Sequence, residues 1–293
     1  MDCYLTLNRF IKEKYGIKLR KIPLFTNLTC PNRDGTISYK GCYYCNNEGF
    51  NPFFKEFAKK SIREQINFWI DKYKNLKNTD FIAYYQTYTN TYAPLDVLEE
   101  MYRVPLEFDR IRVISIATRP DCFSDNILNL IKEIHYSKEV WLEIGLQSAS
   151  DKVLEYINRG HSVHDFIEAI HYIRNFIPGI RISTHLIFGL PHETYDDIKK
   201  AAAIINDSRI DGVKIHPLAI VKHTVFAKYY KEGEIQLISM DEYVNRVVYF
   251  LRHLNSNVVI ERISEDTDDL LIAPNWVGQK HELKRRICER LKK

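Results

Sequence analysis

The stretch "VWLEIGLQSASDKVLEYINRG", Val140 to Gly160, holds one structural unit. Residues 140–147 are a short apolar and β-branched run, and after the polar break "SASD" the spacing turns helical over 150–159. The same order of strand, polar loop and helix recurs along the chain. Strands are expected at 22–30, 80–86, 111–117, 140–147, 181–189 and 212–217. Helices are expected at about 56–76, 94–104, 124–136, 150–159, 163–177 and 193–206. Such alternation implies a parallel sheet with right-handed crossovers.

Six units are too few to close an eight-stranded barrel. They suit an open partial barrel or a doubly wound sheet, and the placing of the polar residues decides for α/β, a partial (β/α)6 TIM-type barrel with a C-terminal extension. Polar residues gather just past the strands, where barrels build their active sites. Asn90, Arg119, Gln147 and His216 stand at such strand ends. A helix at 240–255 and an apolar run at 257–263 add a further strand. Residues 1–220 are expected to form the core with an N-terminal helix, and 221–293 an extension packed on it.

The chain has 293 residues, 45% hydrophobic and 27% charged, as in ordinary globular proteins. Its 19 tyrosines argue against disorder, since large aromatic side chains need a core or a ligand to cover them. No secretory signal and no membrane-spanning run is visible, so a cytoplasmic location is expected. In that compartment the six cysteines are expected to be thiols, with Cys3 and Cys288 inert in terminal helices. The net charge of +4 is concentrated at the end: residues 280–293 carry seven Lys/Arg against two Glu. Leu283, Ile287 and Leu291 recur every four residues there, so this is a helix with an apolar stripe and basic flanks. It reads either as a docked helix with a solvated face or as an RNA-contacting patch, together with Arg9, Lys12, Lys14, Lys18, Arg20 and Lys21.

Cys30, Cys42 and Cys45 lie in one turn-rich segment, "TCPNRDGTISYKGCYYCNNEGF" (29–50). Three thiolates are one short of a structural zinc site, and Cys122 or a histidine could complete one. An iron–sulfur cubane held by only three cysteines keeps one iron open for a small molecule. Tyr43 and Tyr44 sit between the paired thiols and are expected to shield them from water.

With its aromatic before the last cysteine, this triad resembles the radical S-adenosylmethionine superfamily. The spacing is C-x11-C-x2-C rather than the commoner C-x3-C-x2-C, which resembles the branch containing the elongator-complex catalytic subunit. The segments "CPNRDGT…GCYYCN", "QTYTNTYAP", "TRPDC", "EIGLQSASDKVLEYINRGH" and "LIAPNW" are similar to its YhcC/YtqA-like subfamily over nearly the whole chain. The resemblance implies a [4Fe–4S] cluster on Cys30, Cys42 and Cys45, with S-adenosylmethionine on the fourth iron. A 5′-deoxyadenosyl radical would follow, fed by an electron donor such as flavodoxin or ferredoxin. By similarity to the coproporphyrinogen-dehydrogenase type, Gln147 and Arg159 would contact the cofactor. The acidic cofactor contacts of those relatives on strands three and five are missing, with Asp121 and His185 nearby.

Tyr44, Glu143 and His216 complete the candidate cofactor contacts. Glu143 interrupts a strand that otherwise reads as core, so it is placed in the barrel lumen. A buried carboxylate there needs a partner, which coenzyme or substrate could supply. Asn90 and Tyr92 are expected at the mouth, and Lys222 beside the end of strand six. Cys122 reads as a small packed residue, and His161, His164 and His171 as surface histidines. The elongator branch and the basic termini point to tRNA, at a wobble uridine. A radical enzyme for a small molecule or peptide, and a non-catalytic zinc protein that binds RNA, are the other readings.

Overall fold

The computed structural model describes residues 3–46, 54–264 and 270–293, so the end of the cysteine segment, 47–50, lies outside them. The first half of the chain gives α1 (Leu7–Tyr15), β1 (Lys18–Leu24), α2 (Phe54–Phe57), α3 (Ile62–Lys72), β2 (Thr79–Tyr85), α4 (Leu95–Arg103), β3 (Ile111–Thr118) and α5 (Asp125–Ser137). Next come β4 (Glu139–Gln147), α6 (Asp151–Tyr156), α7 (Val163–Phe176), β5 (Arg181–Phe188), α8 (Tyr195–Asp207) and β6 (Gly212–Pro217). The chain ends with β7 (Ile220–Val221), α9 (Val225–Lys231), α10 (Met240–His253), β8 (Val259–Arg262), β9 (Leu271–Ala273) and α11 (Lys280–Leu291). Side-chain caps start many helices: Ser61, Ser162 and Thr194 each form a capping box with the acid three residues on.

Seven strands pair in parallel in the order β1-β2-β3-β4-β5-β6-β8 and curl into a partial TIM-type barrel. The apolar run at 257–263 thus continues the main sheet, with Gly212 paired to Val259. A separate antiparallel pair joins β7 to β9. Residues just before α1 approach β8, where the amide of Ile260 donates to Leu5 O at 2.8 Å. From there α1 runs to β1.

Strand alternation divides the sheet into two faces. On β4, Val140, Leu142, Ile144 and Leu146 are fully buried in the main core with α5, α7 and α8. The intervening Glu143, Gly145 and Gln147 face a central cavity. Ile82, Val113 and Trp141 close its lower end against Ile11 of α1.

Two expectations need correction. The first strand lies at Lys18–Leu24, not at 22–30, in register from Lys18↔Thr79 to Leu24↔Tyr85. Lys18 and Arg20 are exposed at this sheet edge, so the strand lacks an apolar signal where it begins. Its Pro23 is tolerated on an edge strand. Beyond Leu24 the chain leaves the sheet, because the amide of Phe25 donates to Gln65 Oε1 at 2.7 Å instead. Cys3 and Cys288 are also not separate thiols: they form a disulfide across 285 residues, while Cys30, Cys42, Cys45 and Cys122 are free.

Candidate active site

Cys30, Cys42 and Cys45 line one cavity of about 540 Å³ at the carboxyl ends of the strands. The loop carrying them is tied at both ends. The amide of Arg33 donates to Cys30 O at 2.8 Å, and that of Cys45 to Cys42 O at 2.9 Å. Gly41 takes φ 68°, a conformation open to glycine, just before Cys42. Asn158 Nδ2 holds Gly41 O at 2.7 Å, and Asn32 Nδ2 holds Asn158 O at 2.6 Å. The loop after α6 therefore fixes the position of the thiol loop.

Cations surround the thiols. Arg159 Nη1 lies 3.6 Å from Cys42 Sγ, and Asn32 Nδ2 3.5 Å from it. Burial pushes the Cys42 thiol up, but the Arg159 and Arg119 guanidiniums outweigh this and hold it below the ordinary thiol value. At Cys45 burial and the neighbouring Cys42 outweigh the Arg33 guanidinium and raise the thiol to about 11. Arg33 Nη2 approaches the Cys45 carbonyl at 2.5 Å. Among the described residues no group of three His, Cys, Asp or Glu could hold a single metal ion.

The end of β4 is shaped around Gly145. A Cβ there would stand 2.8 Å from Arg159 Nη2, which donates to Gly145 O at 2.9 Å. Gln147 takes φ 73° where the β4–β5 register shifts, a strained backbone for a non-glycine residue that turns its amide to the cavity. Thr87 also lines the cavity, and its buried hydroxyl has no partner among the described residues. Tyr44 lines the cavity as well, its phenol pushed well above its ordinary value by burial and by Cys42. Tyr43 does not join it. It packs edge-on to Phe226 and Tyr229, in a separate apolar cluster.

Deeper in the lumen, Glu143 has partners from the chain itself. Lys21 Nζ meets Oε1 at 2.6 Å, and Lys214 Nζ and His185 Nε2 meet Oε2, the latter at 3.2 Å. Burial would raise this carboxylate, but Lys21 and Lys214 hold it well below the ordinary range. His216 lies within β6, 5.6 Å from His185 between ring centres, and lines the same cavity.

Several residues fall elsewhere than expected. Asn90 is fully buried and bridges backbone, donating to Tyr85, Thr87 and Ala117 carbonyls at 2.9–3.1 Å. Tyr92 ties the thiol loop through Thr36 at 2.8 Å rather than facing the cavity. Asp121 is engaged by Arg119 at 2.7 and 2.8 Å, and the Lys222 side chain is exposed. Cys122 is buried, as a small packed residue should be, and its thiol is pushed up to about 12 by that burial and by Asp121. His164 and His171 are exposed, but His161 is buried and its Nε2 accepts from Arg159 Nε at 2.8 Å. Burial and Arg159 hold His161 at about 3, so its proton sits on Nδ1 and bonds Ser162 O.

A strand-end cavity lined by three free thiols and ringed by guanidiniums is the setting in which the similarities to known proteins fall. Residues 30–205 match the Radical SAM superfamily and residues 210–293 the Radical_SAM C-terminal domain. The uncharacterized protein YtqA of Bacillus subtilis is 34% identical over 281 residues, covering 96% of this chain and 87% of that protein. The structure of Elp3 from Methanocaldococcus infernus, lacking its first 46 residues, superimposes with a TM-score of 0.67 at 21% identity. That match covers 94% of this chain and 63% of the Elp3 chain, and it speaks to fold. A tRNA uridine(34) acetyltransferase of the same organism is 29% identical over 54% of this chain and 29% of its own length. The chain belongs to the radical SAM superfamily and is one of its enzymes. Within that superfamily it belongs to the YhcC/YtqA-like subfamily.

Proposed function

We propose that Cys30, Cys42 and Cys45 hold a [4Fe–4S] cluster and that the cavity beside them takes S-adenosylmethionine. The donor set fits: three free thiols open on one cavity, guanidiniums hold the Cys42 thiol below its ordinary value, and basic groups surround them. Gln147 and Arg159 would hold the coenzyme, the guanidinium pairing with its carboxylate and the amide with ribose hydroxyls. Arg159 is kept in place by His161, and Arg119 Nη1 donates to its carbonyl at 2.9 Å. Tyr44 would exclude water, and His216 faces the same space from β6. Glu143, already neutralised by lysines, serves the floor of the cavity. Bound together, the cluster and coenzyme supply reductive cleavage of the sulfonium and a 5′-deoxyadenosyl radical that abstracts hydrogen.

The substrate we assign is tRNA, at a wobble uridine. The observation that carries this is the similarity to a tRNA uridine(34) acetyltransferase across half the chain. The basic helix α11 adds little, since Arg285, Arg286 and Arg290 are engaged with Glu282, Glu289 and Asp241. The test uses anaerobically reconstituted, reduced protein given S-adenosylmethionine. Wild type is expected to bind about four irons per chain and release 5′-deoxyadenosine, and Cys42→Ala to release none. One zinc and no iron would remove the cluster. An unchanged tRNA nucleoside profile in a deletion strain, read by mass spectrometry, would remove the tRNA assignment and leave the radical chemistry standing.

A further inference from the structure

The floor of the cavity carries more positive than negative charge. Two carboxylates, Glu143 and Glu261, meet Lys21, Lys214 and Arg181. The side chains of both carboxylates are 1% exposed, and both are already satisfied by those cations. Arg262 stands beside them, lines the cavity, and has no hydrogen-bonding or ionic partner among the described residues. It reaches this position through an irregularity. The pairing of β6 with β8 shifts between Val213 and Lys214, so that Lys214 pairs with Arg262 and Glu261 is the extra residue. Two consecutive side chains of β8 thereby serve the lumen, where a regular strand would send one to each face.

A half-buried guanidinium beside the buried Lys214 ammonium repels it, and neither neighbouring carboxylate pairs with Arg262. The geometry points to an oxyanion subsite: Arg262 and Lys214 together bind the carboxylate or phosphoryl group of a substrate that enters the lumen beneath the coenzyme. This deepens the radical reading and rests on it for what lies above the anion. Each group facing Lys214 bears on this. Glu143 of β4 and the Tyr84 hydroxyl of β2, at 2.8 Å, hold its ammonium in place. Lys21 of β1 and Arg262 of β8 oppose its charge, while Glu261 supports it. His185 of β5, brought to about 4 by burial and Lys214, is neutral and cannot compete for the anion. His216 completes the rim from the same strand as Lys214. Burial with these neighbours brings Lys214 to about 7, so an arriving anion would restore its proton.

The experiment is calorimetric titration of sulfate and of acetate into the reconstituted holoenzyme, with excess S-adenosylmethionine filling the upper level. Both probes keep their charge from about pH 6 to about pH 8. Binding is expected near pH 6 and about tenfold weaker near pH 8, because the group titrating near 7 must be protonated. Arg262→Gln should weaken it at least about tenfold, and Arg262→Lys should recover part of the loss. Tighter sulfate marks a phosphoryl group, and tighter acetate a carboxylate. Absence of binding, equal binding by Arg262→Gln, or an affinity flat across that range overturns the proposal. The wild-type pH series decides even where a variant fails to fold. Formation of 5′-deoxyadenosine is measured on the same preparation. Its failure with anion binding intact removes the radical reading alone.

Discussion

Glu143 lies between Lys21 and Lys214 on a strand whose other face is wholly apolar, and it also accepts from Ser115 Oγ at 3.0 Å. Removing its charge leaves two lysines in the lumen with one fewer anion, and a buried cation without a partner costs several kcal/mol. Glu143→Gln is therefore expected to lower the unfolding free energy by about 3–5 kcal/mol in urea titrations near pH 7. Adding Lys214→Met should return part of it, and a single-variant loss within experimental error would rule the network out as a structural support. The sign with pH follows from the lowered carboxylate: its stabilisation is full above the ordinary value of 4.5 and disappears only as pH falls through the depressed value. Glu143 was legible in the sequence because a carboxylate breaks an apolar run. Its partners were not, since Lys21 and Lys214 come from strands 122 and 71 residues away. His161 was misread for another reason. It precedes the helix cap Ser162, so helical spacing to His164 and His171 does not govern it.

Strands β2 to β6 were legible because each buries an apolar face between polar loops. The edge strand β1 was displaced, since its first residues are charged and the apolar residues after it belong to a loop. At the opposite end, α11 shows which of two signals docks a helix. Leu283 and Ile287 are fully buried in the main core, whereas Arg286 and Arg290 reach Asp241, whose side chain is 60% exposed. Exposed ion pairs contribute little, because water screens them and ordering long side chains costs entropy. Leu283→Ala should lower stability by about 2–5 kcal/mol, through lost transfer energy and the cavity left behind. Asp241→Ala should leave the urea midpoint nearly in place. Equal shifts for the two variants would mean that the ionic flank, not the apolar stripe, seats the helix.

The two ends of the chain meet where the partial barrel is open. The segment before α1 bridges to β8 through Thr6 and Ile260, and α11 packs on the same core. The Cys3–Cys288 disulfide joins these ends covalently. Sequence could not reveal the pair, because the two cysteines stand 285 residues apart and only the folded sheet brings their Cα atoms to 5.4 Å. A crosslink acts mainly on the unfolded chain, and its entropic effect grows slowly with the loop closed. A loop spanning nearly the whole protein lies at the upper end of that scale, about 5 kcal/mol, with less expected where the unfolded chain keeps structure. Thermal unfolding should therefore shift downward when dithiothreitol is added to the wild type. Cys288→Ser should melt at the lower temperature from the start and show no further shift. Cys30, Cys42 and Cys45 form no disulfide and are unchanged in the variant, so the comparison isolates the terminal bond. A wild type whose melting is indifferent to reductant would mean that the ends are held by β8 pairing and α11 packing alone.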